Sequence, residues 1–152
     1  MTFHSDQESE MQKFCRRCQS LGLAVTVQRR AVFQALMDCR EHPAADSIYE
    51  IITKEHPNIS RTSVYRILDT FVRHGIVRRV NHPDAAARYD VWLSPHHHAI
   101  CVSCGEITDI PFSPEDEQAL ERVYRSMEGF TIRDFSVTFQ GICRNCGEKE
   151  KS

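Results

Sequence analysis

The stretch PHHHAICVSC, residues 95–104, places three consecutive histidines directly before a Cys-x2-Cys pair. A second pair, Cys143 and Cys146, follows later in the chain. Two such pairs are typical of a tetrahedral zinc site, because each pair turns the backbone so that two sulfurs converge on one ion at about 2.3 Å. Imidazoles suit iron, manganese and nickel as well as zinc. The stretch therefore predicts two neighbouring metal sites, one closed and structural, and one whose ion exchanges.

The predicted ligands of the structural Zn2+ are Cys101, Cys104, Cys143 and Cys146. A glycine directly follows each pair, which makes the signal for zinc specific. Four protein ligands leave no coordination position open for catalysis. Two other classes remain alternatives: a thiol oxidoreductase, which needs a reactive thiol of lowered pKa, and a zinc hydrolase, which needs three ligands and a water. The sequence has no HExxH motif, and we expect no enzyme activity.

Length and composition bound the class of protein. The chain has 152 residues, of which 41% are hydrophobic and 26% charged, and its mean hydropathy is −0.44. No apolar run approaches the roughly 20 residues of a membrane span, and the N-terminus lacks the apolar core of a secretory signal. We therefore expect a cytoplasmic protein without a membrane partner, whose seven cysteines are metal ligands or redox thiols rather than disulfides.

The first part of the chain, residues 1–92, is predicted to form a winged helix-turn-helix domain. Hydrophobic spacing and capping residues predict helices over 11–21, 26–39, 45–55 and 60–74, and strands over 75–80 and 87–92. Residues 1–10 are interpreted as a disordered or loosely helical leader. Three helices followed by a two-stranded hairpin are the outline of a winged helix-turn-helix, with the helix 60–74 as its recognition helix.

Charge distribution supports a nucleic-acid partner. The net charge of −2 argues against one, but five arginines and a single aspartate lie between Asn58 and Val80, and a local basic patch outweighs the total. Arginine binds guanine edges or phosphate, and tyrosine contacts a thymine methyl group or a phosphate. A solvated basic helix face is the alternative interpretation. The candidate contacts to double-stranded DNA are Arg61, Ser63, Tyr65 and Arg66.

The second part, residues 93–152, is predicted to be a small α/β domain. Strands are predicted over 99–102, 106–110 and 130–141, and a helix over 114–128 begins with acidic residues. A unit this small is unstable without a staple or a partner, which zinc and dimerisation would provide. The fold class is thus α+β, with an N-terminal winged helix-turn-helix domain and a C-terminal small α/β dimerisation domain.

The histidines before the first cysteine pair are candidates for the exchangeable site. In an extended segment, His96 and His98 lie on one side while His97 points away. Spacing alone favours His96 and His98 as ligands, and it leaves open whether His42 or Asp90 joins them. A set of ligands drawn from both halves of the chain could hold one half against the other.

Other histidines and cysteines have no matching partner in the sequence. His4, His56, His74 and His82 are interpreted as ordinary surface histidines. Cys15 and Cys18 form a third Cys-x2-Cys pair with no second pair to join it, and we interpret them as thiols on the exposed face of a helix.

Five segments together resemble the ferric uptake regulator family of bacterial transcription repressors: HPAADSIYE, SRTSVYRILDTFVRHGIV, ARYDV, HHHAICVSCGEITDI and GICRNCG. The similarity runs from the helix at Thr26 to Gly147. It implies a winged-helix DNA-binding half, a hinge, an α/β dimerisation half, and structural zinc on the four cysteines. It also implies DNA contacts at Tyr65 and Arg66. The implied regulatory metal ligands are His42, Asp90, His96, His98 and Asp109.

The resemblance also bears on what the protein senses. Asp109 stands at the last ligand position of the regulatory site. In having aspartate there, the sequence resembles the peroxide-responsive branch of the family, whereas iron-uptake regulators usually have glutamate. The zinc-uptake branch commonly adds a cysteine to the regulatory site, and none lies between Cys39 and Cys101. We therefore expect a homodimeric repressor that binds Fe2+ or Mn2+ and senses peroxide by oxygen insertion into His42 or His96. The alternative is an iron-responsive ferric uptake regulator without peroxide sensing.

Overall fold

The structure, a computed structural model, describes residues 3–39, 42–84, 86–91, 96–133 and 135–150. The chain forms two compact units, residues 1–93 and residues 94–152. The first contains α1 (Phe3–Ser20), α2 (Val27–Asp38), α3 (Ala45–Glu55), α4 (Arg61–Arg73), β1 (Arg78–Val80) and β2 (Arg88–Asp90). The second contains β3 (His96–Cys101), β4 (Ile107–Pro111), α5 (Pro114–Arg125), β5 (Thr138–Gly141) and α6 (Arg144–Glu150). The predicted α+β class is confirmed. The predicted domain boundary, between residues 92 and 93, lies outside the described residues.

Side-chain caps fix where two helices of the first unit begin. The Thr26 hydroxyl accepts a hydrogen bond from the Arg29 N–H at 3.2 Å, and the Ser60 hydroxyl accepts one from the Ser63 N–H at 3.0 Å. Such caps satisfy backbone donors that have no partner inside the helix. Both N-caps that the sequence predicted for α2 and α4 are confirmed.

A left-handed glycine closes the C-terminal end of α4. Gly75 has a φ of 64°, which costs glycine little and other residues more. The Gly75 N–H donates to the Val72 carbonyl at 3.1 Å, and the Ile76 N–H donates to the Phe71 carbonyl at 2.9 Å. This Schellman arrangement delays the following strand, so that β1 begins at Arg78 rather than at the predicted Gly75.

One apolar core joins the four helices of the first unit. The Phe14 ring of α1 stacks on Phe33 with centroids 4.1 Å apart and meets Phe71 edge-on at 5.4 Å. Cys18 is 0% exposed in the same core. The expectation that the thiols of this helix lie on an exposed face is wrong for Cys18, because it lies one turn after Phe14 on the buried face. Other fully buried members of the core are Val32, Leu36, Ile48, Val64, Leu68 and Val77.

The wing of the first unit is the antiparallel hairpin of β1 and β2, in which Arg78 lies opposite Asp90. The connection between α2 and α3 joins its edge. The Tyr89 N–H donates to the Pro43 carbonyl at 3.0 Å, and Ala44 forms an isolated bridge to the same strand. Backbone hydrogen bonds therefore hold this connection against β2.

A three-stranded sheet in the order β4–β3–β5 organises the second unit. β3 pairs antiparallel with β4 and parallel with β5. α5 begins with a capping box, in which Ser113 and Asp116 each accept a hydrogen bond from the backbone N–H of the other. No side chain of α5 is buried within the chain.

The strand predicted over 130–141 is wrong over most of its length. Only β5 is a strand, and the described residues 130–133 and 135–137 have no regular structure. Alternating apolar residues predict a face, but a strand also needs a hydrogen-bonding neighbour. β3 provides that neighbour only where His98 pairs with Thr138 and beyond.

Other boundaries also differ from the prediction. β3 begins at His96 rather than Ala99, α1 extends through the leader to Phe3, and α6 was not predicted. Trp92, the last residue of the second predicted wing strand, lies outside the described residues. Within the part of the chain that the structure describes, no helix is both long and apolar enough to cross a membrane.

Replacing Phe14 with alanine should lower the free energy of unfolding by about 3–5 kcal/mol, because it removes a buried ring and leaves a cavity beneath α1. Urea unfolding followed by far-ultraviolet circular dichroism measures this. Val27→Ala is the control, at a side chain that is 69% exposed, and should change stability by less than about 0.5 kcal/mol. Equal effects of the two substitutions would contradict the position of α1 in the core.

Candidate metal centres and nucleic-acid interface

Four cysteine sulfurs converge in the second unit. Cys101 ends β3 and Cys104 lies in the turn after it, whereas Cys143 follows β5 and Cys146 lies in α6. The four Sγ atoms lie within 4.8 Å of one another, and those of Cys104 and Cys143 are 3.8 Å apart. A tetrahedral ion with sulfur bonds of about 2.3 Å places its sulfurs about 3.8 Å apart. The geometry therefore fits zinc.

The same backbone hydrogen bond shapes both cysteine pairs. The Gly105 N–H donates to the Cys101 carbonyl at 2.8 Å, and the Gly147 N–H donates to the Cys143 carbonyl at 2.9 Å. Gly105 has a φ of 77°, which residues with a Cβ rarely adopt. The glycine after the first pair is thus required by the turn that presents the two sulfurs.

The thiols of this cluster differ in acidity. The pKa of Cys101 is lowered to about 6, first because the Cys143 N–H donates to its sulfur at 3.3 Å. The Cys146 N–H acts in the same direction on Cys143, but burial and the neighbouring sulfurs outweigh it and raise the pKa of Cys143 to about 12. A metal ion displaces such remaining protons on binding. A redox thiol, in contrast, must be reachable, and Cys101 is only 4% exposed.

The pairing of β3 with β4 brings three predicted regulatory ligands together. His96 and His98 lie on one face of β3, and His98 stands opposite Asp109. The two Nε2 atoms are 3.1 Å apart, and Asp109 Oδ1 lies 3.7 Å from that of His96 and 3.5 Å from that of His98. Ligand atoms about 2.1 Å from an ion are about 3.0–3.4 Å apart at octahedral or tetrahedral angles. The distance between the two imidazole nitrogens lies within this range and those to the carboxylate oxygen, at 3.5 and 3.7 Å, slightly exceed it, so that the three donors lie close to the spacing of a metal site.

The first unit brings two further predicted ligands together. His42 and Asp90 are 7% and 6% exposed, and His42 Nε2 lies 3.9 Å from Asp90 Oδ2. The hydrogen bond between Tyr89 and Pro43 positions them, because each ligand is the sequence neighbour of one of its partners. His42 has a φ of 49° although it precedes proline. Such a conformation costs roughly 1–3 kcal/mol and is common at functional sites.

His97 lies on the opposite face of β3 and packs among aromatic rings. Its ring meets Phe112 edge-on with centroids 4.5 Å apart, and Phe139 lies beyond at 6.4 Å. Burial lowers the pKa of His97, which favours the neutral ring. His97 therefore packs as an apolar side chain, on the side of the strand away from His96 and His98, as predicted.

The four candidate DNA contacts on α4 are held differently. Arg66 is exposed and forms no ion pair with any residue that the structure describes. Ser63 is half-buried, and its hydroxyl lies 2.8 Å from that of the capping serine. Arg61 and Tyr65 both contact the carboxylate of Asp46 on α3. Sequence analysis missed Asp46, because an acid in the first turn of a helix is already explained by the helix dipole.

Arg79 connects the wing to α4. Its Nη2 lies 2.8 Å from the Asp69 carboxylate, and its guanidinium lies 5.8 Å from the centroid of the Tyr89 ring. Both members of the ion pair are about half exposed, so the pair stabilises by less than about 1 kcal/mol. Its effect is to orient β1 and β2 relative to the predicted recognition helix.

The interpretation of His82 as an ordinary surface histidine is wrong. Its side chain is 4% exposed, and its Nδ1 lies 2.7 Å from Asp84 Oδ1. The same carboxylate accepts a hydrogen bond from Arg88 at 2.7 Å and one from the Ala86 N–H at 3.0 Å. Asp84 thus contacts three residues of the wing turn, and its contact with His82 accompanies the burial of that imidazole ring.

A helix-turn-helix with a hairpin wing, joined in one chain to clusters spaced for metal ions, defines a winged-helix metal-binding protein. The protein belongs to the ferric uptake regulator family: the sequence model of the "Ferric uptake regulator family" matches residues 20–140. This match confirms the resemblance seen in the sequence.

Individual relatives cover nearly the whole chain. The peroxide operon regulator of Bacillus subtilis is 33% identical over 141 residues, which are 93% of this chain and 96% of that protein. The ferric uptake regulator Fur of Helicobacter pylori superimposes with a TM-score of 0.74 at 25% identity, over 92% of this chain and 93% of that one. The Campylobacter jejuni peroxide stress regulator has a TM-score of 0.67 at 26% identity, over 96% and 100%.

The purified protein should contain about one zinc ion per chain at the four cysteines. Cys143→Ser should lose it, because three thiolates bind zinc less tightly and no longer join β3 to the chain after β5. Elemental analysis after size-exclusion chromatography measures the zinc content. Cys39→Ser is the control at a thiol outside the cluster and should retain zinc. Equal zinc in both variants would contradict the assignment.

Proposed function

We propose that this protein is a homodimeric, metal-dependent repressor that binds operator DNA in the cytoplasm and releases it when peroxide oxidises a ligand histidine. The observation that carries the proposal is the cluster of His96, His98 and Asp109, whose donor atoms lie at metal-ligand spacing. Similarity to regulators named for peroxide, in Bacillus subtilis and Campylobacter jejuni, supports the sensing role. We propose no catalytic turnover.

The proposed metals follow from the donor atoms. Four thiolates suit Zn2+, whereas imidazole and carboxylate donors without a thiolate suit Fe2+ or Mn2+ and leave the ion exchangeable. When bound, Fe2+ supplies the electron that activates peroxide, a reaction that Mn2+ does not support. Peroxide sensing therefore depends on which of the two metals occupies the regulatory ligands.

The chain's own part in regulation is to provide ligands from both units. We propose that His42 and Asp90 of the first unit and His96, His98 and Asp109 of the second unit bind one ion. Shared ligands favour one arrangement of the two units over others. By linkage, operator DNA then tightens metal binding by the same factor by which metal tightens DNA binding. Addition of an oxygen atom to the imidazole of His42 or His96 removes a ligand and reverses the effect.

DNA binding is proposed for the N-terminal end of α4. A recognition helix enters the major groove with its first residues against base edges. Arg61, Ser63, Tyr65 and Arg66 occupy the first two turns of α4, and exposed Arg66 is the contact with the fewest competing partners. A dimer presents two such helices to half-sites one helical turn apart.

The surface of the second unit supports a second copy of the chain as partner. β5 lies at the edge of its sheet, and exposed edges commonly pair with another chain. Exposed large apolar side chains concentrate in this unit. They are Val102, Val123, Met127, Phe130, Phe135, Phe139 and Ile142.

An iron-responsive regulator without peroxide sensing is the second candidate. The TM-score of the Helicobacter pylori Fur structure, 0.74, is higher than the 0.67 of the Campylobacter jejuni peroxide stress regulator, which favours this candidate. Its sequence identity of 25% is lower than the 33% of the Bacillus subtilis peroxide operon regulator, and we therefore place it second.

A low concentration of hydrogen peroxide should abolish DNA binding by the Fe2+-loaded protein and leave DNA binding by the Mn2+-loaded protein unchanged. The probe is a duplex selected from a random library by the Mn2+-loaded protein, and the readout is fluorescence anisotropy. Peptide mass analysis should find one added oxygen on His42 or His96 in the iron form only. Unchanged binding with unmodified histidines would support the iron-responsive candidate instead.

Phe139→Arg should convert the dimer into a monomer, because a charge then lies in the apolar surface proposed to meet the second copy. Light scattering coupled to size-exclusion chromatography measures the mass. Val27→Arg places the same charge on an exposed apolar position of the first unit and should leave the dimer intact. Zinc content shows whether the variant retains its fold, and a zinc-loaded dimeric Phe139→Arg variant contradicts the proposed interface.

A further inference from the structure

Asp46 contacts two of the proposed DNA-binding side chains at once. Its Oδ1 atom accepts a hydrogen bond from the Tyr65 hydroxyl at 3.1 Å and another from the Arg61 guanidinium. The same guanidinium lies over the Tyr49 ring, 4.8 Å from its centroid. Arg61 and Asp46 side chains are each more than half exposed. A solvent-facing carboxylate on α3 thus contacts two side chains that lie one turn apart on the proposed recognition helix.

These contacts limit how Tyr65 can meet DNA. A tyrosine hydroxyl has one hydrogen to donate, and Asp46 accepts it. Burial and the hydrogen bond to Asp46 raise the pKa of Tyr65, which keeps that hydrogen in place. While the contact lasts, Tyr65 cannot donate to a phosphate. It still presents its ring to a thymine methyl group and its oxygen lone pairs to base amino groups, which are base-edge contacts.

Arg61 is limited to a smaller degree. One of its five N–H donors points to Asp46, and the carboxylate charge offsets the attraction of the guanidinium for phosphate. Non-specific DNA binding depends almost wholly on such attraction. A carboxylate that engages these side chains therefore weakens binding to any phosphate backbone, whereas it leaves the base-edge contacts of the two side chains available.

We propose that Asp46 is a specificity-determining residue, which suppresses binding to non-operator DNA by keeping Arg61 and Tyr65 from phosphates and orienting them toward base edges. The proposal rests on the proposed DNA-binding function. In the operator complex the contacts with Asp46 persist and fix the two side chains for readout. On other sequences a phosphate contact requires that they break first.

The test compares full-length, Mn2+-loaded wild type with Asp46→Asn. The probes are a duplex selected from a random library by the wild type and a scrambled duplex of equal length and composition, each titrated at several salt concentrations. Asp46→Asn should bind the scrambled duplex about tenfold more tightly, and its plot of log affinity against log salt should steepen by about 1, as one more phosphate contact requires. The preference for the selected duplex should fall by at least the same factor.

Glu50→Gln is the matched control. It makes the same charge change on α3, one turn after Asp46, at an exposed side chain without an ion pair to any described residue. It should change the scrambled-duplex affinity less than about twofold. Asp46→Ala is a second variant, in case asparagine retains the hydrogen bond from Tyr65, and it should show the same changes as Asp46→Asn.

A Tyr65→Phe substitution identifies the source of the gain. In the Asp46→Ala background it should reverse part of the gain on the scrambled duplex, because the released hydroxyl is removed. Unchanged scrambled-duplex binding by both Asp46 variants, or an equal gain in Glu50→Gln, would falsify the proposal while the DNA-binding function stands. A wild type that selects no duplex from the library overturns both.

Discussion

Strand β3 and its two hydrogen-bonded neighbours bring together the segments that carry the predicted metal ligands of the second unit. Pairing with β4 puts Asp109 opposite His98, and pairing with β5 puts Gly141 opposite Cys101, which delivers the second cysteine pair to the first. A slip of the β4 pairing by one residue would move the aspartate to the face opposite the histidines. One strand of six residues thus carries the regulatory donors in its first half and a zinc ligand at its last residue.

The elements that sequence reasoning predicted well depend on local chemistry. Thr26 and Ser60 cap α2 and α4, and Gly75 follows the end of α4. The two Cys-x2-Cys pairs bring their four sulfurs together, as such pairs do in zinc sites. The failures depend on contacts between distant residues. Cys18 is buried because its face of α1 packs against the core. β5 is shorter than the predicted strand because β3 pairs only with the last residues of that segment, from Thr138 onward. The spacing of Phe14 and Cys18, four residues apart, is a local signal for the burial of the thiol, whereas the start of β5 depends on β3 and has no signal within its own segment.

The wing and the connection before α3 form one hydrogen-bonded assembly within the first unit. His42 and Asp90 flank the bond between Pro43 and Tyr89, and Tyr89 lies beneath the arginine that pairs with α4. His42 and Asp90 are thus connected to α4 through the buried Tyr89 ring and the half-exposed ion pair of Arg79. The left-handed backbone at His42 adds local strain that binding interactions at its imidazole can offset. If His42 and Asp90 bind the regulatory ion as proposed, these contacts connect that ion to the proposed recognition helix.

The two units also become complete at different times during protein synthesis. Among the residues that the structure describes, every member of the first unit's core lies between Met11 and Val91. The thiol cluster of the second unit, in contrast, needs Cys143 and Cys146. Because the ribosome adds residues in order, at about 5–20 per second, the first unit can fold on the order of seconds before all four cysteines of the cluster have been added. Each new chain therefore passes through an interval in which the first unit can be complete while the cysteine cluster of the second unit is not.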